Sequence, residues 1–190
     1  MAILSRSLIK DRLNRKVDDV TSIVITPFDE SALDADTMDL RLGSHFLFPP
    51  LPSAPAIDIT SRTSRVRDLS IHIPNGNQLV LPAHQNVLGV TLEFIKLPHD
   101  LSGQILTKSS VARNFLVIET APWIHPGYRG CLTLEIANVS NSALILKPGM
   151  KIGQLIFMTI DQPELATELE GSFIGPVRPE SPLGGRHTHN

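Results

Sequence analysis

Short stretches of apolar–polar alternation, each stopped by proline or glycine, constrain this chain more than any other feature. Met38, Leu40 and Leu42 alternate with Asp39 and Arg41 before Gly43 ends the run. Leu88, Val90, Leu92 and Phe94 alternate with Gly89, Thr91 and Glu93, and Pro98 closes that strand. Leu132, Leu134 and Ile136 alternate with Thr133, Glu135 and Ala137, and the turn Lys147-Pro148-Gly149 separates Ala143–Leu146 from Ile152–Ile160. A period of two sends neighbouring side chains to opposite faces of a strand. Fifteen prolines spread through the 190 residues cut helices short and mark strand boundaries. The pattern predicts a mainly β fold, a sandwich or barrel of many short strands. One helix is predicted near the start, over Ser5 to Asn14, with Ser5 as its cap and Leu4, Leu8, Ile9 and Leu13 at helical spacing.

Composition removes several classes of function. Apolar residues make up 42% of the chain, enough for one hydrophobic core. Lys plus Arg is 17 against 19 Asp plus Glu, a net charge of −2, which argues against a protein built to grip nucleic acid or an anionic membrane. The single cysteine, Cys131, excludes an intramolecular disulfide framework and a multi-cysteine zinc site, and points to a reducing, cytoplasmic address. No stretch reads as a membrane span: the longest run without a charged residue, Leu69 to Leu92, is interrupted by Pro74, Asn75, Asn77, Gln78, Pro82, His84 and Asn86. Met1 to Arg6 lacks the basic-then-apolar order of a signal peptide. Pro49–Pro55 carries four prolines and reads as a loop, followed by Arg62, Arg65 and Arg67 on a solvated segment. The expected organisation is a barrel domain over 1–162 and a tail over 163–190, mobile or a lid.

Two segments carry candidate chemistry. In Lys108-Ser109-Ser110-Val111-Ala112-Arg113, two hydroxyls lie between two cations, a set suited to an anion; the same set is common in ordinary loops. In Trp123-Ile124-His125-Pro126-Gly127-Tyr128-Arg129-Gly130, a Pro-Gly turn leads into the strand containing Glu135. Alternation puts Glu135 opposite Leu132, Leu134 and Ile136, on the face of Cys131, Thr133 and Ala137. That carboxylate is either an ordinary surface group or, lining a cleft, a general acid/base. His187 and His189 have no third ligand nearby in sequence and read as tail residues.

Together these blocks resemble the dCTP deaminase branch of the dUTPase-like superfamily. The resemblance rests on Ile3-Leu4-Ser5-Arg6, on Ile25-Thr26-Pro27-Phe28-Asp29 with Met38 to Gly43, and on Gln85 to Pro98. It continues through Lys108 to Arg113, Ile124 to Asn138 and Lys147 to Phe157, in order over roughly residues 3 to 160. It implies a distorted, jelly-roll-like β-barrel with a short N-terminal helix, assembling as a homotrimer with active sites shared between subunits. It also implies hydrolysis of the 4-amino group of dCTP to give dUTP and ammonia, with Mg2+ bound through the triphosphate. No zinc is implied, and the His-x-Glu and Pro-Cys-x-x-Cys pattern of zinc deaminases does not occur in this chain.

By the same resemblance Glu135 is the general acid/base, Ser109 and the backbone carbonyl of Ala121 hold the attacking water, and Arg113 supports them electrostatically. Lys108, Ser109 and Ser110 meet the phosphates and Tyr128 lies against the deoxyribose. Trp123, His125, Gln154 and Arg178 complete the substrate-binding set. The chain departs from the family pattern at several points. His125 stands where an aspartate is usual, Asn114 and Phe115 are atypical, and Glu119 adds a negative charge near an anionic ligand. The tail keeps only Arg178 of the usual closing cations. The alternatives are a dUTP diphosphatase or bifunctional deaminase-diphosphatase, a non-catalytic deoxynucleotide-binding trimer, and a purely structural barrel module. Glu135, in the run Thr133-Leu134-Glu135, and His125 in the turn both weigh against a simple diphosphatase.

Overall fold

The computed structural model describes residues 2–48, 69–118, 121–161 and 177–179. In chain order the elements are α1 (Arg6–Leu13), β1 (Val24–Thr26), a 3-10 turn (Glu30–Ala32), β2 (Thr37–Arg41), β3 (His45–Phe48), β4 (Leu69–His72), β5 (Leu79–Leu81), β6 (Asn86–Lys96) and β7 (Leu101–Thr107). They continue as α2 (Ser109–Ala112), β8 (Leu116–Val117), β9 (Trp123–Ile124), β10 (Arg129–Asn138), β11 (Leu144–Leu146) and β12 (Lys151–Thr159). The proline loop at 49–55, Arg62, Arg65, Arg67, Glu119, His187, His189 and the tail other than 177–179 lie outside the described residues.

The mainly β expectation holds. Among the described residues the strands form a six-stranded sheet in the order β4-β3-β6-β10-β8, with β1 also on β6, a four-stranded sheet β2-β12-β7-β9, and a pair β11-β5. These ladders do not close into one continuous barrel wall; an isolated bridge from Leu42 to Thr91 joins the two larger sheets at a corner. One apolar cluster fills the space between them, with Phe46, Ile95, Leu134 and Ile136 from one sheet and Leu40, Leu101, Leu155 and Phe157 from the other. Burying each such side chain contributes about 1.5–3 kcal/mol. At the corner Gly43 donates to the Val90 carbonyl at 2.7 Å, and a Cβ there would lie 2.9 Å from that same oxygen. Only glycine permits that approach.

The helix forms where expected, with two corrections. Ser5 occupies the cap position, but its hydroxyl meets Ser7 Oγ and makes no cap hydrogen bond. Leu8 is exposed, because the helix docks through Ile9, with Leu4 and Leu13 beside it. Arg12 ties this helix to the turn before β7 through Asp100 at 2.6 Å.

In β6 the alternation runs opposite to polarity. Val87, Gly89, Thr91, Glu93 and Ile95 are buried, whereas Leu88, Leu92 and Phe94 are half-buried on the outer face. The polar pair lies at a bulge: Cys131 pairs with Phe94 but Thr133 with Val90, so β6 carries two extra residues there. Thr91 Oγ1 donates to the Glu93 carbonyl at 2.8 Å and accepts from Leu132 N at 2.9 Å. Glu93, 1% exposed, accepts from Arg41 N at 2.9 Å and Arg41 Nε at 2.6 Å. The buried carboxylate is thereby matched in charge and hydrogen bonding, as a buried ion must be.

Cys131 is buried and unbridged, packed as a small hydrophobe. Burial pushes its thiol pKa up, and the Glu93 charge adds to the shift. Thiolate is the reactive form, so a thiol reagent at neutral pH is expected to leave the native protein untouched and to label one group after denaturation. Rapid labelling of the native state would contradict this packing.

Candidate active site

Glu135 sits on β10 between Leu134 and Ile136, both in the core, and is itself half-buried on the outer face. Its cross-strand partner on β6 is Leu88, which pairs in turn with Leu47 on β3. The carboxylate therefore stands on a largely apolar sheet face bearing Leu88 and Val90 from β6, with Thr133 two residues away along β10. The expectation about its face is met.

The turn preceding β10 is fixed by backbone geometry. Gly127 has φ +74°, and a Cβ there would lie 2.4 Å from the His99 ring. Ile124 is buried, while Ala121, Trp123 and His125 are exposed. Tyr128 is half-buried, and its hydroxyl donates to the Cys131 carbonyl at 2.9 Å, which sets the ring's orientation across the turn.

The serine segment is α2, one turn between β7 and β8. Ser109, Ser110 and Arg113 are exposed on it. It packs on β8, and β8 pairs with β10 at Ala137 and Asn138, immediately beyond Glu135. Phe115 follows at φ +60° and is exposed; for a bulky residue that left-handed conformation costs about 1–2 kcal/mol, and glycine usually takes such a helix-ending position.

Lys108 points to a partner the sequence reading did not identify. Its Nζ lies 2.6 Å from Asp39 Oδ1, and Lys151 Nζ lies 3.1 Å from Asp39 Oδ2. Asp39 pairs directly with Gln154 across β2 and β12. Burial raises the Asp39 pKa, but hydrogen bonds from Lys108 and Lys151 outweigh it and hold the carboxyl below its ordinary value. These ion pairs stabilise the fold above the usual carboxylate range and lose that contribution as pH falls through the lowered value.

The structure thus gathers Lys108 and Gln154 around Asp39 on the four-stranded sheet. Trp123 lies farther out on that sheet, on β9 opposite Gln104. Glu135 belongs to the other sheet, with Tyr128 in the turn that leads into its strand, and α2 links the two sheets. Arg178 is placed by its charge acting on His45 of β3, whose ring is 4.7 Å from that of His72.

Residues 3–160 match the family described as dCTP deaminase-like. The chain is 34% identical over 180 residues to a "dCTP deaminase, dUMP-forming" of Coprothermobacter proteolyticus, covering 94% of each chain. The chain belongs to the dCTP deaminase-like family. A relative of the same name from Rhodococcus erythropolis is 38% identical over 154 residues, 80% of this chain and 81% of the other. Among solved structures, the 2'-deoxycytidine 5'-triphosphate deaminase of Agrobacterium tumefaciens superposes with a TM-score of 0.60 at 21% identity, over 83% of this chain and 48% of that one. At that identity the superposition speaks for the fold alone: the mainly β architecture is shared with that deaminase. Asp39 lies in the block Met38 to Gly43 and Lys151 in the block Lys147 to Phe157, both quoted for the resemblance, yet their meeting with Lys108 appears only when β2, β7 and β12 pair.

Proposed function

We propose that this chain deaminates dCTP hydrolytically, without zinc, using Glu135 as general acid/base. The observation that carries the reading is a half-buried carboxylate on the outer face of β10 in a chain of the dCTP deaminase-like family. Water adds its oxygen to C4 of cytosine while Glu135 takes one of its protons and delivers it to N3; Glu135 then moves the second proton from the new C4 hydroxyl to the amine, the C4–N bond breaks, and uracil and ammonia result. Ser109 and the Ala121 carbonyl hold the water, and Arg113 balances charge as it moves. Lys108 and Ser110 contact phosphate oxygens, Tyr128 packs on the deoxyribose, and Trp123, His125, Gln154 and Arg178 close the remaining sides. Mg2+ enters as part of the substrate, bound through the triphosphate. Cytoplasmic residence accords with the lone reduced cysteine.

Assembly is a homotrimer in this reading, with active sites shared between subunits. The half-buried apolar face of Leu88, Leu92 and Phe94 supports burial of this sheet against another copy.

The names of the relatives carry the reaction past dUTP to dUMP, which favours a second reading, the bifunctional deaminase-diphosphatase. Incubating the protein with dCTP, dCMP or dUTP and Mg2+, and separating the products, tests both. Ammonia with dUTP supports deamination alone; ammonia with dUMP and pyrophosphate supports the two-step enzyme. Nucleotide that binds and stays unchanged contradicts both and leaves a deoxynucleotide-binding trimer.

A further inference from the structure

We propose that Lys151 is a second cation of the phosphate subsite and that Asp39 is the positioning residue that holds it beside Lys108. The inference deepens the deaminase reading and rests on its assignment of Lys108 to the phosphates. Two ammonium groups repel one another, and here one carboxylate stands between them, giving one oxygen to each: Lys108 Nζ at 2.6 Å from Oδ1 and Lys151 Nζ at 3.1 Å from Oδ2. Asp39 is 9% exposed, so the bridge is set into the sheet rather than on a mobile surface chain. The lysine side chains are 26% and 42% exposed, open enough for an anion to reach both.

The backbone fixes this arrangement from three sides. Asp39 comes from β2, Lys151 opens β12, and Lys108 leaves β7 with its N–H donating to the Ile152 carbonyl at 3.0 Å. Gln154 is the direct cross-strand neighbour of Asp39, and Ser109 and Ser110 follow Lys108 in the chain. The cluster of two lysines and one aspartate carries a net charge of +1, and each ammonium has three N–H donors, of which the contact with Asp39 takes one. A polyphosphate is the ligand class that a bridged pair of cations next to two hydroxyls and an amide recognises.

The test is binding, measured separately from turnover. Affinities for Mg-dCTP and for deoxycytidine are determined by equilibrium dialysis in the Glu135→Gln protein, alone and combined with Lys151→Met, Lys151→Arg or Asp39→Asn. Losing one charge-assisted contact of about 1.4 kcal/mol weakens dCTP binding about tenfold. Lys151→Met is expected to do this and to flatten the salt dependence, leaving deoxycytidine unaffected; Lys151→Arg retains most of the affinity. Asp39→Asn is expected to weaken dCTP in the same direction, and exposed Lys151 provides the variant that folds if Asp39→Asn does not. Unchanged dCTP affinity in Lys151→Met, or an equal loss for deoxycytidine, overturns the proposal. Failure of the deaminase reading appears elsewhere, as absence of ammonia from wild-type protein given dCTP.

Discussion

Replacing Glu135 with Gln is expected to lower the rate of dCTP deamination by about 10²–10⁴-fold, the usual contribution of a positioned general acid/base. The amide fills nearly the same volume but accepts no proton from water and delivers none to N3 or the amine. Because Glu135 lies on the outer face while Leu134 and Ile136 carry the core packing, the melting midpoint and oligomeric state are expected to match wild type. The loss should fall on kcat, since the proposed nucleotide contacts come from other residues. A variant that keeps more than a tenth of the wild-type rate would remove Glu135 from the mechanism.

The second large effect concerns the fold. Arg41→Ala strips Glu93, 1% exposed, of the guanidinium that meets its carboxylate at 2.6 Å. Breaking one side of a buried pair costs about 3–5 kcal/mol. At about 2–4 °C per kcal/mol for a domain of this size, the midpoint should drop by roughly 6–20 °C. Arg41→Met combined with Glu93→Gln removes both charges and should recover much of that loss, because no uncompensated ion remains. A midpoint within a degree of wild type in Arg41→Ala would mean that the pair contributes nothing to stability.

The parts of this fold that were legible in the sequence are those where a period of two survives burial. β10 and β12 are largely half-in, half-out strands, and β2 keeps an alternation of polarity although Asp39 is buried with Met38 and Leu40; the alternation on β10 gives the face of Glu135. β7 was not legible because Leu101, Ser102 and Gly103 are all buried, so no polar face interrupts the run. β1, β5, β8 and β9 have only two or three residues, too few to show a period. β6 was legible as a strand but not as to its inner face, because Gly89, Thr91 and Glu93 point inward, with Glu93 held there by Arg41, while Leu88, Leu92 and Phe94 lie outward.

The candidate site is drawn from the blocks that carry the resemblance. Ser109, Ser110 and Arg113 emerge exposed on one short turn, and Tyr128 and Gly127 shape the turn into β10, as the order of motifs implies. What sequence alone could not give is Asp39. It reads as the polar member of an alternating strand, and its role depends on Lys108, 69 residues away in the chain, arriving beside it through β12.

Ammonia released from dCTP by purified wild-type protein, stripped of zinc with a chelator and supplied with Mg2+, tests the central claim most directly. The account predicts one ammonia per uracil nucleotide formed, at a rate that chelation does not change. Bound dCTP with no ammonia, or activity that returns only when zinc is added back, would contradict it.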